Sequence, residues 1–320
     1  MKELVYKEDV LKDNFEQTTL ILNDDYEGKV TATLVRKKTE ERSSKAVLYL
    51  HGFNDYFFQK SMANEFVKNE FYFYALDLRK YGRSILSHQK INNVRDLEEY
   101  FEEIDAALKV IQKEQNTHVI LAGHSTGGLI ITLYAAARKK SNLFSALYCN
   151  SPFYDMNLPH YLKKYAIPMV AKVGEKFPDL RISGGFSEFY GLSLHQAHFG
   201  EWDYNLDWKP NKANPIHAGW IAAIHKGHCQ IKKGVELDKP ILIMHSDKSV
   251  FPSEWSEEMF TGDAILNIHD IVANAQKIKA PQKNIIGIEN GMHDLVLSQQ
   301  KAREKVYSIL FDWLDKNVML

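Results

Sequence analysis

The chain has only two cysteines, Cys149 and Cys229, in 320 residues. Two thiols cannot build a disulfide framework, and they read as ordinary intracellular cysteines. Long hydrophobic runs are also missing: no stretch approaches the roughly 18 uninterrupted apolar residues of a spanning helix. The N-terminal stretch from Met1 to Asp9 lacks the apolar segment of a secretory signal. These absences make a soluble, cytoplasmic protein the expectation. There is no excess of one charge either. Forty Lys and Arg stand against 41 Asp and Glu, for a net charge of -1, so no bulk field draws the protein to nucleic acid. No HExxH and no paired CxxC occurs, and Gly123 to Gly128 fits neither the dinucleotide fingerprint nor the P-loop. No metal and no cofactor is therefore expected. His195-Gln196-Ala197-His198 and His225-Lys226-Gly227-His228-Cys229 read as residues that line or pack an inserted segment. Low-complexity tracts and internal repeats are absent.

What is present is a sequence with 45% hydrophobic residues, enough for a substantial core and just above the size at which single cores stop growing. Phe15 to Leu22 and Val30 to Val35 have strand composition, and Asn23 to Gly28 between them reads as a turn, so an antiparallel hairpin leads the chain. The rhythm then changes. Ala46 to Leu50, Phe71 to Leu76 and Val119 to Ala122 are continuous apolar runs, the mark of strands buried on both faces. Val94 to Gln115 carries Leu97, Phe101, Ile104, Leu108 and Ile111 at helical spacing, and a second helix is expected from Thr126 to Arg138. Later strands fall at Ala146 to Cys149, Ile241 to Met244 and Ile285 to Ile288, with a closing helix over Ala302 to Leu314. This alternation predicts an α/β fold: a mostly parallel central sheet with helices on both faces. Between Ser151 and about Lys239 the alternation breaks. That stretch contains Trp202, Trp208 and Trp220, whose burial demands a packed insertion over the sheet. The expected organisation is a core of residues 1–150 and 240–320 interrupted by a lid of residues 151–239.

The sharpest local signal is Gly123-His124-Ser125-Thr126-Gly127. This G-x-S-x-G sequence follows a buried strand and opens a helix, the setting in which such a serine becomes an exposed nucleophile on a strained turn. The helix N-terminus offers the backbone N–H of Thr126 to a developing oxyanion. The base is expected after the serine. His293, in Gly291-Met292-His293-Asp294, lies in a loop at the carboxyl end of a strand, where open α/β sheets assemble their sites. His245 and His124 are weaker rivals. The acid should lie between serine and histidine in chain order, and Asp247, at the end of the strand Ile241 to Met244, takes that place. Asp263 and Asp270 are its substitutes. The second oxyanion donor is assigned to the backbone N–H of Phe53, in Leu50-His51-Gly52-Phe53.

These segments together resemble the monoacylglycerol lipase and lysophospholipase branch of the α/β-hydrolases. His51-Gly52-Phe53-Asn54-Asp55 resembles that branch's oxyanion loop, and Asp77-Leu78-Arg79-Lys80-Tyr81-Gly82-Arg83-Ser84 is similar to its D-x-R-G-x-G-x-S segment. Gly123 to Gly128 looks like its G-H-S-x-G-G elbow. Asn150-Ser151-Pro152 and Met292-His293 match its lid entry and histidine loop. The chain departs from the family in its acid segment, where His245-Ser246-Asp247 replaces G-x-x-D, and in the long stretch from Lys248 to Ile271. The resemblance implies an α/β-hydrolase fold with an inserted lid. It also implies hydrolysis of a carboxylic ester, lysophospholipid, monoacylglycerol or similar, without cofactor. The partner is then a small-molecule ester, lipid-derived substrates among the candidates. Amidase or peptidase chemistry, carbon–carbon bond hydrolysis, acyl transfer and non-catalytic small-molecule reception use the same constellation and stand as alternatives.

Overall fold

The continuous apolar runs become the central strands of one sheet. The computed structural model describes residues 4–182, 185 and 187–318; Met1, Lys2 and Glu3, part of the N-terminal stretch read for a signal, lie outside the described residues. The strands are β1 (Lys7–Glu8), β2 (Glu16–Ile21), β3 (Thr31–Lys37), β4 (Lys45–Leu50), β5 (Tyr72–Asp77), β6 (His118–His124) and β7 (Ala146–Asn150). A two-residue pair, β8 (Arg181–Ile182) and β9 (Ile216–His217), precedes β10 (Ile241–Ser246) and β11 (Lys283–Ile288). The main sheet runs in the order β1-β2-β3-β5-β4-β6-β7-β10-β11. The expected hairpin is there, β2 against β3, and β3 continues antiparallel onto β5. From β5 to β11 every pairing is parallel.

The apolar runs are needed because both faces are covered. Along β4, Ala46, Leu48 and Leu50 enter one core while Val47 and Tyr49 enter the other. This is the period-2 alternation of a pleated strand. The first core is closed by α2 (Phe101–Lys113), α3 (Thr126–Ala137) and α7 (Ile268–Ala275), the second by α1 (Lys60–Lys68) and α8 (Gln300–Asn317). The helical pattern from Val94 to Gln115 is shortened at its start. Asp96 and Glu99 form a reciprocal capping box around a 3₁₀ turn over Leu97–Tyr100, and α2 follows it. The cap satisfies amide groups that would otherwise be orphaned at the helix start.

β4 and β6 are neighbours, yet the chain leaves β4 toward β5 on one side and later continues from β6 toward β7 on the other. Such a switch point opens a crevice at the carboxyl ends of the two strands. The loops there are His51 to Phe53 and the Gly123 to Ser125 turn. Between β7 and β10 the chain makes a long excursion containing α4 (Ile167–Lys176), α5 (Phe189–Leu194), α6 (Ala218–Lys233) and the β8–β9 pair. No helix among the described residues is long and apolar enough to cross a membrane.

One histidine ties the start of this excursion to α6, near its end. His228, on α6, is buried and its Nε2 donates to the Phe153 carbonyl at 2.9 Å. Burial pushes its pKa down to about 4 from the ordinary histidine value of 6.5. The folded state therefore prefers the neutral ring, and the unfolded chain binds the extra proton first as pH falls. Stability from this group is complete above pH 6.5 and lost as pH falls toward 4, on the order of 3 kcal/mol in all. His228→Gln, which keeps a donor for Phe153, should flatten the fall of the melting temperature between those pH values. An unchanged slope would remove His228 from the account.

Candidate active site

Ser125 sits between β6 and α3 with φ 53° and ψ -115°, a region that costs a non-glycine residue about 1–3 kcal/mol. The surroundings enforce this conformation. A side chain on Gly127 would place its Cβ 2.4 Å from the Leu50 carbonyl oxygen, so only glycine lets the helix start this close to β4. The Ser125 N–H donates to the Asn150 carbonyl at 2.9 Å, and its own carbonyl accepts from Phe153 at 2.9 Å and Leu129 at 3.2 Å. The strained turn is pinned on three sides.

His293 follows β11 and is buried. Its Nδ1 lies 2.9 Å from Asp263 Oδ2. A carboxylate oxygen only accepts, so Nδ1 carries the proton and Nε2 is left with its lone pair. Asp263 is fully buried, and its other oxygen accepts from the Ile265 and Leu266 amides at 2.8 and 2.7 Å. These bonds hold the carboxylate in place and stabilise its charge where water cannot.

The expectation of Asp247 as the histidine's partner is corrected here. Asp247 is exposed and its Oδ1 accepts from the Asn290 amide at 3.0 Å. The reason is a loop whose pairing has no sequence signature. After β10 the chain runs out through residues 251–262, turns at a 3₁₀ segment over Glu257–Phe260, and returns. On its return Asp263 pairs in parallel with Ser249, its amide donating to the Lys248 carbonyl and its carbonyl accepting from Val250, both at 2.9 Å. Asp263 thus occupies in space the strand end that Asp247 occupies in sequence. Asp270 lies in the first turn of α7 and pairs with Lys163 at 2.7 Å. His245 turns its Nδ1 to the Ser246 carbonyl at 2.6 Å.

The loop after β4 lies against the serine: a Cβ on Gly52 would fall 3.2 Å from Ser125 Cβ. Neither the Phe53 amide nor the Thr126 amide has a hydrogen-bond partner among the described residues. His51 fixes the loop, its Nδ1 donating to the Gly52 carbonyl at 2.8 Å and its Nε2 accepting from the Leu78 amide at 3.1 Å. Both contacts fit one neutral tautomer, and burial lowers the pKa of this ring. His124 lines the cavity with its ring 4.8 Å from that of His293, and burial pushes its pKa down to about 4. It stands neutral beside the His293 ring.

Two residues that the sequence reading gave no role connect the serine and histidine loops. Asn150, whose carbonyl holds Ser125, donates through Nδ2 to Asp294 Oδ1 at 2.7 Å, and its Oδ1 accepts from the Leu295 amide at 3.2 Å. Asp294 also accepts from Gln59 at 3.0 Å. The signals were Asn150's place in the Asn150-Ser151-Pro152 segment and Asp294's position directly after the histidine.

Ser125, His293, Phe53 and Thr126 line one cavity of about 490 Å³. Its roof comes from the excursion, through Ile167, Ile216 and Trp220. Trp220 is buried against Phe53, ring centroids 4.4 Å apart. The histidine clusters lie elsewhere in their bonding. His195 donates from Nε2 to the Tyr204 carbonyl and accepts at Nδ1 from the Ala197 amide, both at 3.1 Å. His225 Nε2 lies 3.6 Å from Cys229 Sγ. No group of three His, Cys, Asp or Glu residues among those described is arranged to hold a metal.

A family model described as serine aminopeptidase, S33, matches residues 41–300. No curated protein matches the sequence significantly. Solved structures show the same fold. A soluble variant of monoglyceride lipase from Saccharomyces cerevisiae, in complex with a substrate analog, is 17% identical with a TM-score of 0.68, over 94% of this chain and 96% of that one. The monoacylglycerol lipase of Paleococcus ferrophilus is 18% identical with a TM-score of 0.67, over 89% and 98%. Est1E from Butyrivibrio proteoclasticus, with ferulic acid bound, is 16% identical with a TM-score of 0.61, over 94% and 100%.

Proposed function

Since the chain belongs to the serine aminopeptidase S33 family of hydrolases and has the α/β-hydrolase fold, we propose that it cleaves a small carboxylic ester through an acyl-enzyme on Ser125. The observation that carries this reading is that His293, paired with Asp263 at 2.9 Å, lines one cavity with a serine on a strained elbow. Serine alone is a weak nucleophile at neutral pH and needs an oriented base.

In this reading Ser125 Oγ attacks the ester carbonyl while His293 Nε2 takes its proton. The Phe53 and Thr126 amides, free of other partners among the described residues, donate to the oxyanion. Asp263 keeps Nδ1 protonated and stabilises the imidazolium without taking its proton. His293 then protonates the departing alcohol, and a water molecule, giving its proton to the same nitrogen, releases the acid and restores Ser125. Residues 151–239 serve as the cap over this chemistry, and the apolar residues they contribute suit the acyl chain. Ester substrates are further supported by the lipases named among proteins of the same fold.

The family description favours a second reading, hydrolysis of an amide at a peptide N-terminus. That substrate brings an ammonium group, whereas the cavity's own cation, Lys209, faces it. Ester hydrolysis stands first for that reason. The purified protein should hydrolyse p-nitrophenyl butyrate and not alanyl p-nitroanilide, and Ser125→Ala should lower the ester rate by about 10⁴-fold or more. Faster turnover of the anilide reverses the order of the two readings.

A further inference from the structure

Asp263 and His293 come from different loops, one following β10 and one following β11, and a single hydrogen bond of 2.9 Å joins their side chains. The short helix α5, deep in the excursion, bonds to both loops. On one side, Tyr190 Oη accepts from the Asp294 amide, directly after the histidine, at 3.0 Å. The Tyr190 ring also packs T-shaped against the His293 ring, centroids 5.7 Å apart. On the other side, Trp255, in the loop that returns as Asp263, donates from Nε1 to Ser193 Oγ at 2.9 Å. Ser193 in turn donates to the Phe189 carbonyl at 2.9 Å, inside the same helix. A second bond runs from the excursion to the histidine loop, Trp202 Nε1 donating to the Leu297 carbonyl at 2.9 Å.

From this arrangement we propose that α5 braces the Asp263–His293 pair, and that Tyr190 is the positioning residue through which the excursion holds the histidine. This inference rests on the hydrolase reading above. Packing alone does not require a tyrosine here, since phenylalanine fills the same space and a buried phenol needs a partner. Tyr190 is 5% exposed, and the partner it finds is an amide of the loop that presents His293. Without that oxygen the Asp294 N–H would be buried and unpaired, which destabilises the loop. The Asp263 bond anchors the imidazole at one nitrogen only. The rings of Tyr190 and His124, packed against it, limit its swing about that anchor. Such a constellation works only when held within about 0.5 Å of its productive geometry. The excursion is then more than a roof over the serine: one of its helices sets the base against its acid.

Tyr190→Phe keeps the ring and removes the bond to Asp294. It should lower kcat on p-nitrophenyl butyrate by roughly 10–100-fold, with KM within about 3-fold of the wild type. The deciding readout is a double-mutant cycle with Asp263→Asn. If Tyr190 acts through the pair, then once the pair is broken Tyr190→Phe should cost no more than about 2-fold. The rate at which a fluorophosphonate labels Ser125 should follow the same pattern, because that probe brings no ester alcohol for Tyr190 to touch. Trp255→Phe, which keeps a ring on Phe199 and removes the bond to Ser193, should show the same coupling to Asp263→Asn. It decides the matter should Tyr190→Phe fail to fold. A role in substrate contact would raise KM and leave the labelling rate unchanged. A merely structural role would lower activity by the same factor in both backgrounds. Either result overturns the inference, and so does a Tyr190→Phe variant with the wild-type kcat. Labelled, active wild type with no such coupling sinks only the brace, whereas a wild type neither labelled nor active sinks the hydrolase reading and the brace with it.

Discussion

Asp263→Asn should lower kcat on a p-nitrophenyl ester by about 10⁴-fold, some 5 kcal/mol of transition-state stabilisation. The side chain that replaces Asp263 has the same shape, and its Oδ1 can still accept from the Ile265 and Leu266 amides. The fold of the returning loop is therefore expected to survive. What is lost is the charge and the acceptor that hold His293 with its proton on Nδ1. An asparagine amide facing the ring favours the opposite tautomer, with the proton on the nitrogen that must receive the one from Ser125. The imidazolium formed in the reaction also loses its counter-charge in a buried site, where charge interactions are least screened. Asp247→Asn makes the comparison decisive. Asp247 is exposed and touches the Asn290 amide, so its replacement should change kcat by no more than about 2–3-fold. Steady-state kinetics on both variants, with circular dichroism to show that each is folded, separates the two carboxylates. A large loss in Asp247→Asn with little in Asp263→Asn would overturn the assignment.

The largest expected effect on stability is at Lys80. This residue has φ 65°, a left-handed conformation in which lysine is strained and glycine is not. It stands where the D-x-R-G-x-G-x-S pattern has glycine, so Lys80→Gly restores the pattern. It should nonetheless destabilise. The ammonium is completely buried and pairs with Asp25 at 2.7 Å and Glu27 at 2.8 Å, whose side chains are each 9% exposed. The Tyr26 ring lies 4.3 Å from the nitrogen. Relief of the backbone strain returns about 1–2 kcal/mol. Removing this ammonium from two nearly buried carboxylates, with only Lys90 left 3.8 Å from Glu27 and no cation left for Asp25 among the described residues, costs about 3–5 kcal/mol, and this term wins. For a chain of this length the net loss lowers the melting temperature by roughly 3–6 °C. Adding Asp25→Asn and Glu27→Gln to Lys80→Gly should recover part of that loss. A rise in melting temperature for Lys80→Gly alone would show that the strain outweighs the pair.

The contrast between Lys80 and Ser125 shows what could be read from sequence. Ser125 was legible because its constraints are local: a buried strand before it, a helix after it and glycine beside it all lie within a few residues. The parallel strands were legible for the same reason, since burial on both faces leaves a continuous apolar run. His293 followed from its position after β11. Asp263 was harder to single out, because its place depends on a parallel bridge to Ser249 across a long loop with no periodic pattern. Chain order pointed to the aspartate nearest the strand end, and folding brought back another. Asn150 and Asp294 bond across the sheet between loops distant in sequence. Lys209 was invisible for a related reason. A lysine in an irregular segment reads as surface charge until the fold places its ammonium over Asp55.

The central claim is that Ser125 is an activated nucleophile, and intact-protein mass spectrometry after fluorophosphonate treatment tests it most directly. The account predicts one adduct on the wild type, its loss in Ser125→Ala, and much slower labelling in Asp263→Asn. A folded wild type that takes no adduct and hydrolyses no short ester, or an adduct that persists in Ser125→Ala, would contradict it.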